Sequence, residues 1–260
     1  MLSSNRPDSE WWRPGPLVIA HRGAARLAPE NTLAAFRLAV GEGADAVELD
    51  ARLSADGAVV VHHDATLNRT TNGTGDLSEL DLNDLKSLDA GAKFDARFAG
   101  EQIPVLDEVF EAIGRQILIN VELKNYERVF DPLAEYVVRI IRHHGLERWV
   151  LLSSFNPVSL RAVSRLAPEI PRGLLLWQGQ KQWTQAVFRA MAVFDACHPH
   201  DRMTDREAIA ADHAHGRRVN VWTVNDVDRM RELLLLGADG LITDAPRLAR
   251  QAVQDVAADR

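Results

Sequence analysis

Two acidic side chains, Glu48 and Asp50, stand two residues apart in the stretch Ala46-Val47-Glu48-Leu49-Asp50-Ala51-Arg52-Leu53. Side chains alternate between the two faces of a β-strand, so this stretch predicts a strand with both acids on one face. Their Cα atoms would lie roughly 7 Å apart. Carboxylates held this close repel each other unless a positive charge lies between them. An edge strand with a solvated acidic face is the alternative interpretation of this stretch by itself.

A second polar pair, Glu122 and Lys124, lies near the end of a later apolar strand. Together with Glu48 and Asp50, Glu122 makes a set of three carboxylates, which suits a hard divalent cation such as Mg²⁺, Ca²⁺ or Mn²⁺. A zinc site would need a set rich in Cys and His, and Cys197 is the single cysteine of the chain. A network of carboxylates with Lys and Arg, without metal, is the alternative.

Cations and histidines accompany these acids. A divalent cation with Arg22 and Lys124 would form a site for a phosphoryl group, for which arginine supplies a bidentate fork. His21 and a histidine of the pair His62-His63 could accept and donate the two protons that hydrolysis of a phosphate ester moves. Adjacent strand residues face opposite ways, so only one of His62 and His63 can point inward. The residues alone leave that choice open.

The elements that position these side chains alternate regularly along the chain. Eight apolar strand segments, each followed by a helical pattern, cover residues 17–20, 46–53, 116–124, 149–154, 172–177, 193–198, 218–223 and 239–243. Eight such units with short connections predict parallel strands closed into a (β/α)8 TIM barrel, whose active site lies at the C-terminal strand ends. A doubly wound open sheet is the alternative, but its G-x-G-x-x-G turn is absent after the first strand.

The predicted strand ends carry chemistry in most of the eight units. They include His21 and Arg22, Glu48 and Asp50, Glu122 and Lys124, Ser153-Ser154-Phe155, His198, Trp222-Thr223, and Thr243-Asp244. A chance solvated rim would not concentrate acids, bases and cations in this way.

One domain spans residues 17–260, preceded by a leader of residues 1–16. Residues 64–104 break the alternation, and we expect a small inserted subdomain there over one mouth of the barrel, shaping any long apolar pocket. Asn31 is the expected N-cap of the first helix. Trp11-Trp12 in the leader is expected to pack onto the body of the domain.

The composition narrows the functional class. The chain has 260 residues, 46% of them hydrophobic and 26% charged, with a formal net charge of −7. This acidic balance argues against nonspecific nucleic-acid binding and is compatible with cation binding. The sequence has no run near the ~20 apolar residues of a membrane-spanning helix and no secretory signal, so we expect a cytoplasmic protein. It does not indicate an oligomeric state.

The motifs, taken in order, resemble those of the glycerophosphodiester phosphodiesterase family of the bacterial, cytoplasmic type, from Val18 to about Leu248. They are His21-Arg22-Gly23, Pro29-Glu30-Asn31-Thr32, Glu48-Leu49-Asp50, His63-Asp64-x-x-Leu67-x-Arg69-Thr70-Thr71-x-Gly73-x-Gly75, Ile103-Pro104-x-Leu106-x-Glu108, Glu122-Leu123-Lys124, Ser154-Phe155, His198-Pro199, Trp222-Thr223-Val224-Asn225, and Gly237-Ala238-Asp239-Gly240-Leu241-Ile242-Thr243-Asp244-x-Pro246.

The resemblance implies a small-molecule glycerophosphodiester substrate, cleaved with a divalent cation to sn-glycerol 3-phosphate and an alcohol. It implies a metal on Glu48, Asp50 and Glu122, and it favours His63 over His62 as the partner of His21 in acid–base catalysis. It also implies substrate contacts, with Arg22 and Lys124 at the phosphate, Phe155 and Trp222 at the glycerol end, and His198 near the metal pocket.

Other functions remain open at this point. Cleavage of lysophospholipids by a phospholipase D-type reaction would use the same centre with a longer apolar pocket. A barrel that binds phosphodiesters without catalysis is an alternative from another class. A sugar-isomerase barrel has no support from the pairing of Arg22 with Lys124.

Overall fold

The computed structural model describes residues 7–126 and 131–259. Within them, eight parallel strands close into a barrel, because the first strand pairs with both the second and the last. The fold predicted from the alternation, a (β/α)8 TIM barrel, is confirmed. The strands are β1 Leu17–His21, β2 Ala46–Leu53, β3 Val59–Val61, β4 Leu118–Leu123, β5 Val150–Ser154, β6 Arg172–Leu176, β7 Ala196–Pro199, β8 Arg218–Val221 and β9 Gly240–Thr243.

Most of the helices follow a barrel strand and bury part of their surface, but Leu82–Lys86 lies in the inserted residues and Gln182–Met191 has no buried residue. The helices are α1 Leu33–Gly41, α2 Leu82–Lys86, α3 Leu106–Ile113, α4 Leu133–His144, α5 Pro157–Leu166, α6 Gln182–Met191, α7 Arg206–Ala214, α8 Val227–Leu236 and α9 Pro246–Ala258. The expected N-cap of α1 was wrong by one residue, since Thr32 caps the helix by accepting from the backbone N–H of Ala35. Asn31 instead adopts a left-handed backbone with φ of 58°.

The register between neighbouring strands sets the acidic residues side by side. In the parallel pair β2 and β4, Glu48 lies opposite Asn120 and Asp50 lies opposite Glu122. On the other side of β2, Glu48 lies opposite His21 of β1. Because these residues share the inward face of adjacent strands, their side chains converge inside the barrel at its C-terminal end.

The short strand β3 is the exception to the parallel order. It runs antiparallel to the end of β2 after a turn at Asp56-Gly57, with Ala51 opposite Val61. This hairpin returns the chain to the barrel mouth and delivers His62 and His63 there. The inserted residues 64–104 follow. Their buried apolar residues Leu67, Leu77, Leu85, Ala90 and Ile103 form a small core with Val60 of β3.

The described part of the leader, residues 7–16, packs against residues at the starts of the barrel strands. Trp11 is 1% exposed and packs with Leu17 and Ile19, and its indole N–H donates to the carbonyl of Trp149 at 3.0 Å. The expectation that this tryptophan packs onto the body is confirmed. In residues 7–126 and 131–259, no helix has the length and apolar character needed to cross a membrane.

Candidate active site

Three buried carboxylates meet at the C-terminal end of the barrel. Glu48, Asp50 and Glu122 are 4%, 1% and 7% exposed, respectively. One oxygen from each lies within 4.8 Å of one oxygen from each of the others. The spacing of two residues on β2 and the register between β2 and β4 together produce this cluster.

Two cations lie directly against the acids. The ammonium of Lys124 is 3.1 Å from Oε1 of Glu122 and 3.4 Å from Oδ1 of Asp50. The Nε atom of Arg22 is 3.3 Å from Oδ2 of Asp50. The backbone N–H of Arg22 also donates to Glu48 at 3.0 Å, from a left-handed conformation with φ of 54°. This backbone conformation, uncommon for a residue other than glycine, directs both the peptide and the side chain of Arg22 toward the acids.

The electrostatics of the cluster are uneven. Burial and the neighbouring carboxylates of Asp50 and Glu122 raise the pKa of Glu48 well above its ordinary range. Burial also opposes ionisation of Asp50, but Lys124 and Arg22 hold the pKa of that carboxyl far below its ordinary value. The cations therefore stabilise the ionised form of Asp50, whereas the crowding of carboxylates disfavours the ionised form of Glu48.

These residues fit a divalent cation. The donor set consists of oxygens, as Mg²⁺, Ca²⁺ and Mn²⁺ prefer. Oδ1 of Asp50 is buried and has no hydrogen-bond partner among the described residues, although Lys124 is close by. A cation among the three acids would also relieve the repulsion that raises the pKa of Glu48.

His63 faces the same cavity, whereas His62 points away from it. The Nδ1 atom of His63 is 2.6 Å from a carboxylate oxygen of Asp64, so Nδ1–H donates to the acid. Burial lowers the pKa of His63, and the nearby charge of Lys124 adds to the effect. His62 is 4% exposed, with Nδ1 bonded to the carbonyl of Asp64 at 2.9 Å and Nε2 to Thr70 at 3.0 Å.

His21 lines the same cavity and has a similar arrangement. Its Nδ1 atom is 2.7 Å from a carboxylate oxygen of Asp244, and its Nε2 atom is 4.0 Å from Glu48. The side-chain amide of Asn225 donates to the other oxygen of Asp244 at 2.6 Å. Each histidine therefore has a carboxylate at Nδ1, which fixes the tautomer and leaves Nε2 for the cavity.

A chain of ion pairs connects His63 to Arg22. Arg69, from the inserted residues, contacts Asp64 at 2.7 Å and Glu30 at 2.7 Å. Glu30 in turn contacts Arg22 at 2.9 Å. Burial opposes ionisation of Asp64, but Arg69 and His63 hold the pKa of that carboxyl below its ordinary value.

The side chains enclose a cavity of about 100 Å³. It is lined by His21, Arg22, Glu48, His63, Asn120, Glu122, Lys124, Phe155, Leu175, Trp222 and Ile242. The rings of Phe155 and Trp222 meet edge to face, with centroids 5.5 Å apart. Nine of the ten sequence-predicted site residues either line this cavity or, like Asp50, contact residues that do.

His198 is the tenth, and the structure does not bring it to the cavity. It is fully buried among the barrel side chains, where its Nε2 atom accepts from the amide of Asn220 at 3.0 Å. A Cβ atom at Gly173 would lie 2.8 Å from the imidazole, so a glycine on the neighbouring strand makes room for the ring. Burial lowers the pKa of His198 to about 3. Its interpretation as a substrate contact is therefore replaced by a role in packing below the site.

Several site residues were not assigned from the sequence. Asn120 lines the cavity, is 1% exposed, and has neither side-chain polar atom hydrogen-bonded within the described residues. Its spacing of two from Glu122 was the signal that could have identified it. The hydroxyl of Tyr126 donates to Glu122, and no spacing rule pointed to that contact. Asp64 and Asp244 belong to two of the sequence motifs, but their contacts with His63 and His21 depend on how the loops fold.

An apolar groove of about 440 Å³ lies beside the cavity. Its lining residues are Tyr126, Phe155, Asn156, Pro157, Trp177 and Phe188. Phe155 belongs to both spaces, so the groove begins at the cavity wall. The expectation that residues 64–104 shape such a pocket is not supported, because all of these lining residues come from loops and helices after β4, β5 and β6.

Comparisons with known proteins agree with this geometry. The model of the Glycerophosphoryl diester phosphodiesterase family matches residues 21–248. A glycerophosphodiester phosphodiesterase of Caldanaerobacter subterraneus subsp. tengcongensis is 41% identical over 231 residues, which cover 88% of this chain and 94% of the relative.

Solved structures give the same result. An Oleispira antarctica phosphodiesterase in complex with the product sn-glycerol-3-phosphate is similar with a TM-score of 0.83 and 33% identity, covering 92% of this chain and 97% of that one. A glycerophosphodiester phosphodiesterase from Agrobacterium tumefaciens has a TM-score of 0.77 and 34% identity, covering 91% and 99%.

Proposed function

This chain belongs to the glycerophosphoryl diester phosphodiesterase family and is an enzyme of that type, and we propose that it cleaves glycerophosphodiesters to sn-glycerol 3-phosphate and an alcohol with a bound divalent cation and two histidines. The observation that supports this most is the convergence of three buried carboxylates, two cations and two histidines around one small cavity. The product bound to the related Oleispira antarctica enzyme supports the same substrate class.

The cations of the chain would hold the phosphate. Arg22 and Lys124 both line the cavity, and each is already oriented by contacts with buried acids. Guanidinium and ammonium groups bind phosphoryl oxygens strongly through charge-assisted hydrogen bonds. Glu30 and Asp50 limit the rotation of Arg22, so the enzyme spends little conformational entropy when it positions the ester.

His21 and His63 would move the protons. Both rings line the cavity, and each has its Nδ1 atom against a carboxylate, which leaves Nε2 for proton transfer. One would accept a proton from the nucleophile and the other would donate a proton to the leaving oxygen. The nucleophile is either water or the adjacent glycerol hydroxyl, and in the second case water opens the resulting cyclic phosphate to give glycerol 3-phosphate. A divalent cation held by Glu48, Asp50 and Glu122 would supply Lewis-acid stabilisation of the charge that develops on the phosphate.

The test is hydrolysis of glycerophosphocholine by the purified chain with added Mg²⁺, Ca²⁺ or Mn²⁺, followed by detection of glycerol 3-phosphate. We expect turnover that a chelator abolishes and that the cation restores. Binding of glycerophosphocholine without any release of glycerol phosphate would instead indicate a non-catalytic phosphodiester-binding barrel.

The apolar groove favours lysophospholipids as a second substrate class. Phe155 lines the cavity where the glycerol end is proposed to lie, and the groove continues from that ring past Trp177 and Phe188. An acyl chain on the glycerol could follow this apolar surface. Paired assays of lysophosphatidylcholine and glycerophosphocholine test the idea. Trp177→Ala should lower kcat/KM for the acylated substrate about tenfold while changing the other little, and an equal change in both would exclude this role of the groove.

A further inference from the structure

Helix α6 presents an apolar face to solvent. Among the nine α-helices of the described residues, it is the one with no buried residue. Trp183, Val187 and Met191 lie four residues apart along it and are 66%, 43% and 42% exposed. Side chains spaced by four residues share a helix face, so the three form one stripe, which we call the α6 stripe. Such a stripe on the outside of a barrel marks a contact surface.

The charges around the α6 stripe differ from those of the rest of the protein. The chain carries 37 acidic residues and a formal net charge of −7, yet residues 170–194 contain no acid. Their basic residues include Lys181, which is exposed immediately before α6. On the neighbouring helix, the exposed Arg161 reaches the carbonyl of Met191 at 3.5 Å. The segment that carries the stripe is therefore apolar and basic, and its exposed Lys181 suits a surface of phospholipid headgroups. Arg189 of the same helix is paired with Asp212 of α7.

The α6 stripe is continuous with the groove that leads to the active site. Phe188 of the same helix lines the groove, and its ring contacts that of Trp177 with centroids 5.8 Å apart. Trp177, itself 37% exposed, contacts Phe155 in turn. Aromatic side chains thus lead from the exposed helix to the cavity wall. Tryptophan favours the interface of a lipid layer, where its ring is buried and its N–H stays near water.

The size of the α6 stripe distinguishes a lipid surface from a second copy of the chain. Eight residue steps from Trp183 to Met191 span about 12 Å at the rise of an α-helix, whose width is about 10 Å. A stable protein interface buries about 800 Å² on each partner, several times the area of this face. Shallow insertion into a lipid layer needs no such area.

We propose that the α6 stripe docks this enzyme on a phospholipid surface, with the mouth of the apolar groove at the headgroup level. The proposal goes beyond the reaction, because binding to lipid requires no turnover. In the docked state, Trp183, Val187 and Met191 lie among the upper acyl chains while Lys181 stays with the headgroup phosphates. The occupant is a lipid layer rather than a protein partner.

Co-sedimentation of the full chain with sucrose-loaded vesicles tests this docking. Vesicles of equimolar phosphatidylcholine and phosphatidylglycerol are used in the presence of a chelator, so that bridging by divalent cations does not contribute. We expect the wild type to sediment with the vesicles. The triple variant Trp183→Ser, Val187→Ser, Met191→Ser should lose about tenfold or more in partition coefficient. The single change Trp183→Ser should lose about threefold.

Leu235→Ser provides the matched control. Leu235 is 57% exposed on α8, so its replacement removes a similar apolar side chain from another helix. We expect the control to bind vesicles like the wild type. We expect the triple variant and Leu235→Ser to hydrolyse dissolved glycerophosphocholine at the wild-type rate. Failure of the wild type to sediment, or equal binding by the triple variant, would overturn the proposal. A dimer in sedimentation velocity that only the triple variant dissociates would assign the stripe to self-association instead. A wild type that binds vesicles but does not hydrolyse glycerophosphocholine would count against the proposed reaction and not against the docking.

Discussion

The histidine pair at positions 62 and 63 offers a decisive comparison, because neighbouring residues of the same type are expected to fail in different ways. His63→Ala removes a ring that lines the cavity and whose Nδ1 donates to Asp64. His62→Ala removes a ring that is 4% exposed and bonds Thr70 and the carbonyl of Asp64 outside the cavity. The first change should affect the rate, and the second should affect stability.

The magnitudes follow from these contacts. Loss of one acid–base side chain should lower kcat by about 10²- to 10⁴-fold, or about 2.7 to 5.4 kcal/mol of transition-state stabilisation. The fold should tolerate His63→Ala within about 1 kcal/mol, since the ring is partly exposed and Asp64 keeps its contact with Arg69. His62→Ala should cost about 2–4 kcal/mol of unfolding free energy, because it removes two hydrogen bonds and leaves a cavity. Its kcat should stay within about threefold of the wild type.

The assay combines steady-state kinetics with denaturation. Turnover of glycerophosphocholine at saturating Mg²⁺ gives kcat and KM for the wild type and both variants, and urea unfolding gives their free energies of unfolding. Comparison at a temperature well below the melting point of His62→Ala keeps that variant folded. Severe and equal loss of kcat in both variants, with both folded, would refute the argument from strand faces. Near-wild-type kcat in His63→Ala would refute the role of His63 in proton transfer.

Further predictions concern three variants of acids in the site. Glu48→Gln should raise the unfolding free energy of the metal-free chain at neutral pH by roughly 1–2 kcal/mol. Burial and the carboxylates of Asp50 and Glu122 raise the pKa of Glu48 in the folded state. A carboxyl with a raised pKa loses its contribution to stability as the pH rises through that pKa, and glutamine avoids this loss. The same variant should lose most of the increase in melting temperature that Mg²⁺ gives the wild type, and an undiminished increase would contradict the ligand assignment. Asp244→Asn should lower kcat about 10²- to 10⁴-fold with little change in KM. The amide of Asn225 would hold the new carbonyl oxygen, so the N–H₂ group of the new asparagine would face Nδ1 of His21 and favour the wrong tautomer of that ring. An effect on KM alone would count against this role of Asp244. Asp64→Asn should weaken the loss of unfolding free energy at acid pH, measured by urea unfolding from neutral pH to below about pH 4. Burial opposes ionisation of Asp64, but Arg69 and His63 lower its pKa in the folded state. Its contribution to stability is therefore present above the pKa of the unfolded chain and is lost as the pH falls through the pKa of the folded chain.

The parts of the site that the sequence predicted are those governed by short-range periodicity. Glu48 and Asp50 share a face because strand side chains alternate, and Glu122 and Lys124 do so for the same reason. Alternation of strands and helices predicted the barrel, and the barrel predicted which strand ends meet. The register that sets Asp50 opposite Glu122 is a property of the paired strands, which no local pattern encodes.

The parts that the sequence did not predict depend on depth and on loops. Alternation predicts that His198 lies on the inward face of β7, but it does not predict the level of the ring along the barrel axis. The ring lies below the cavity, beside Gly173 and Asn220. The choice between His62 and His63 depends on how β3 pairs with β2, because this pairing decides which of the two residues faces inward. The residues alone do not specify that pairing. The N-cap moved from Asn31 to Thr32 because the Asn31 side chain is engaged elsewhere, with its amide donating to Asp50 at 2.8 Å.

The two sides of the cavity mouth differ in a way that assigns a task to the inserted residues 64–104. On their side, Arg69 bonds Asp64 and Glu30 at once, so His63 and Arg22 are oriented through one connected network of charges. Ion pairs of this kind fix geometry more effectively than they add stability, because each charge also loses hydration. On the side of α5 and α6, the mouth is bordered by aromatic rings and remains open. On the proposed function, the insertion would orient Arg22 and His63 toward the ester. The choice between a bare and an acylated glycerol would then depend on the opposite wall, so that substitutions at Trp177 or Phe188 change specificity without disturbing His21 and His63.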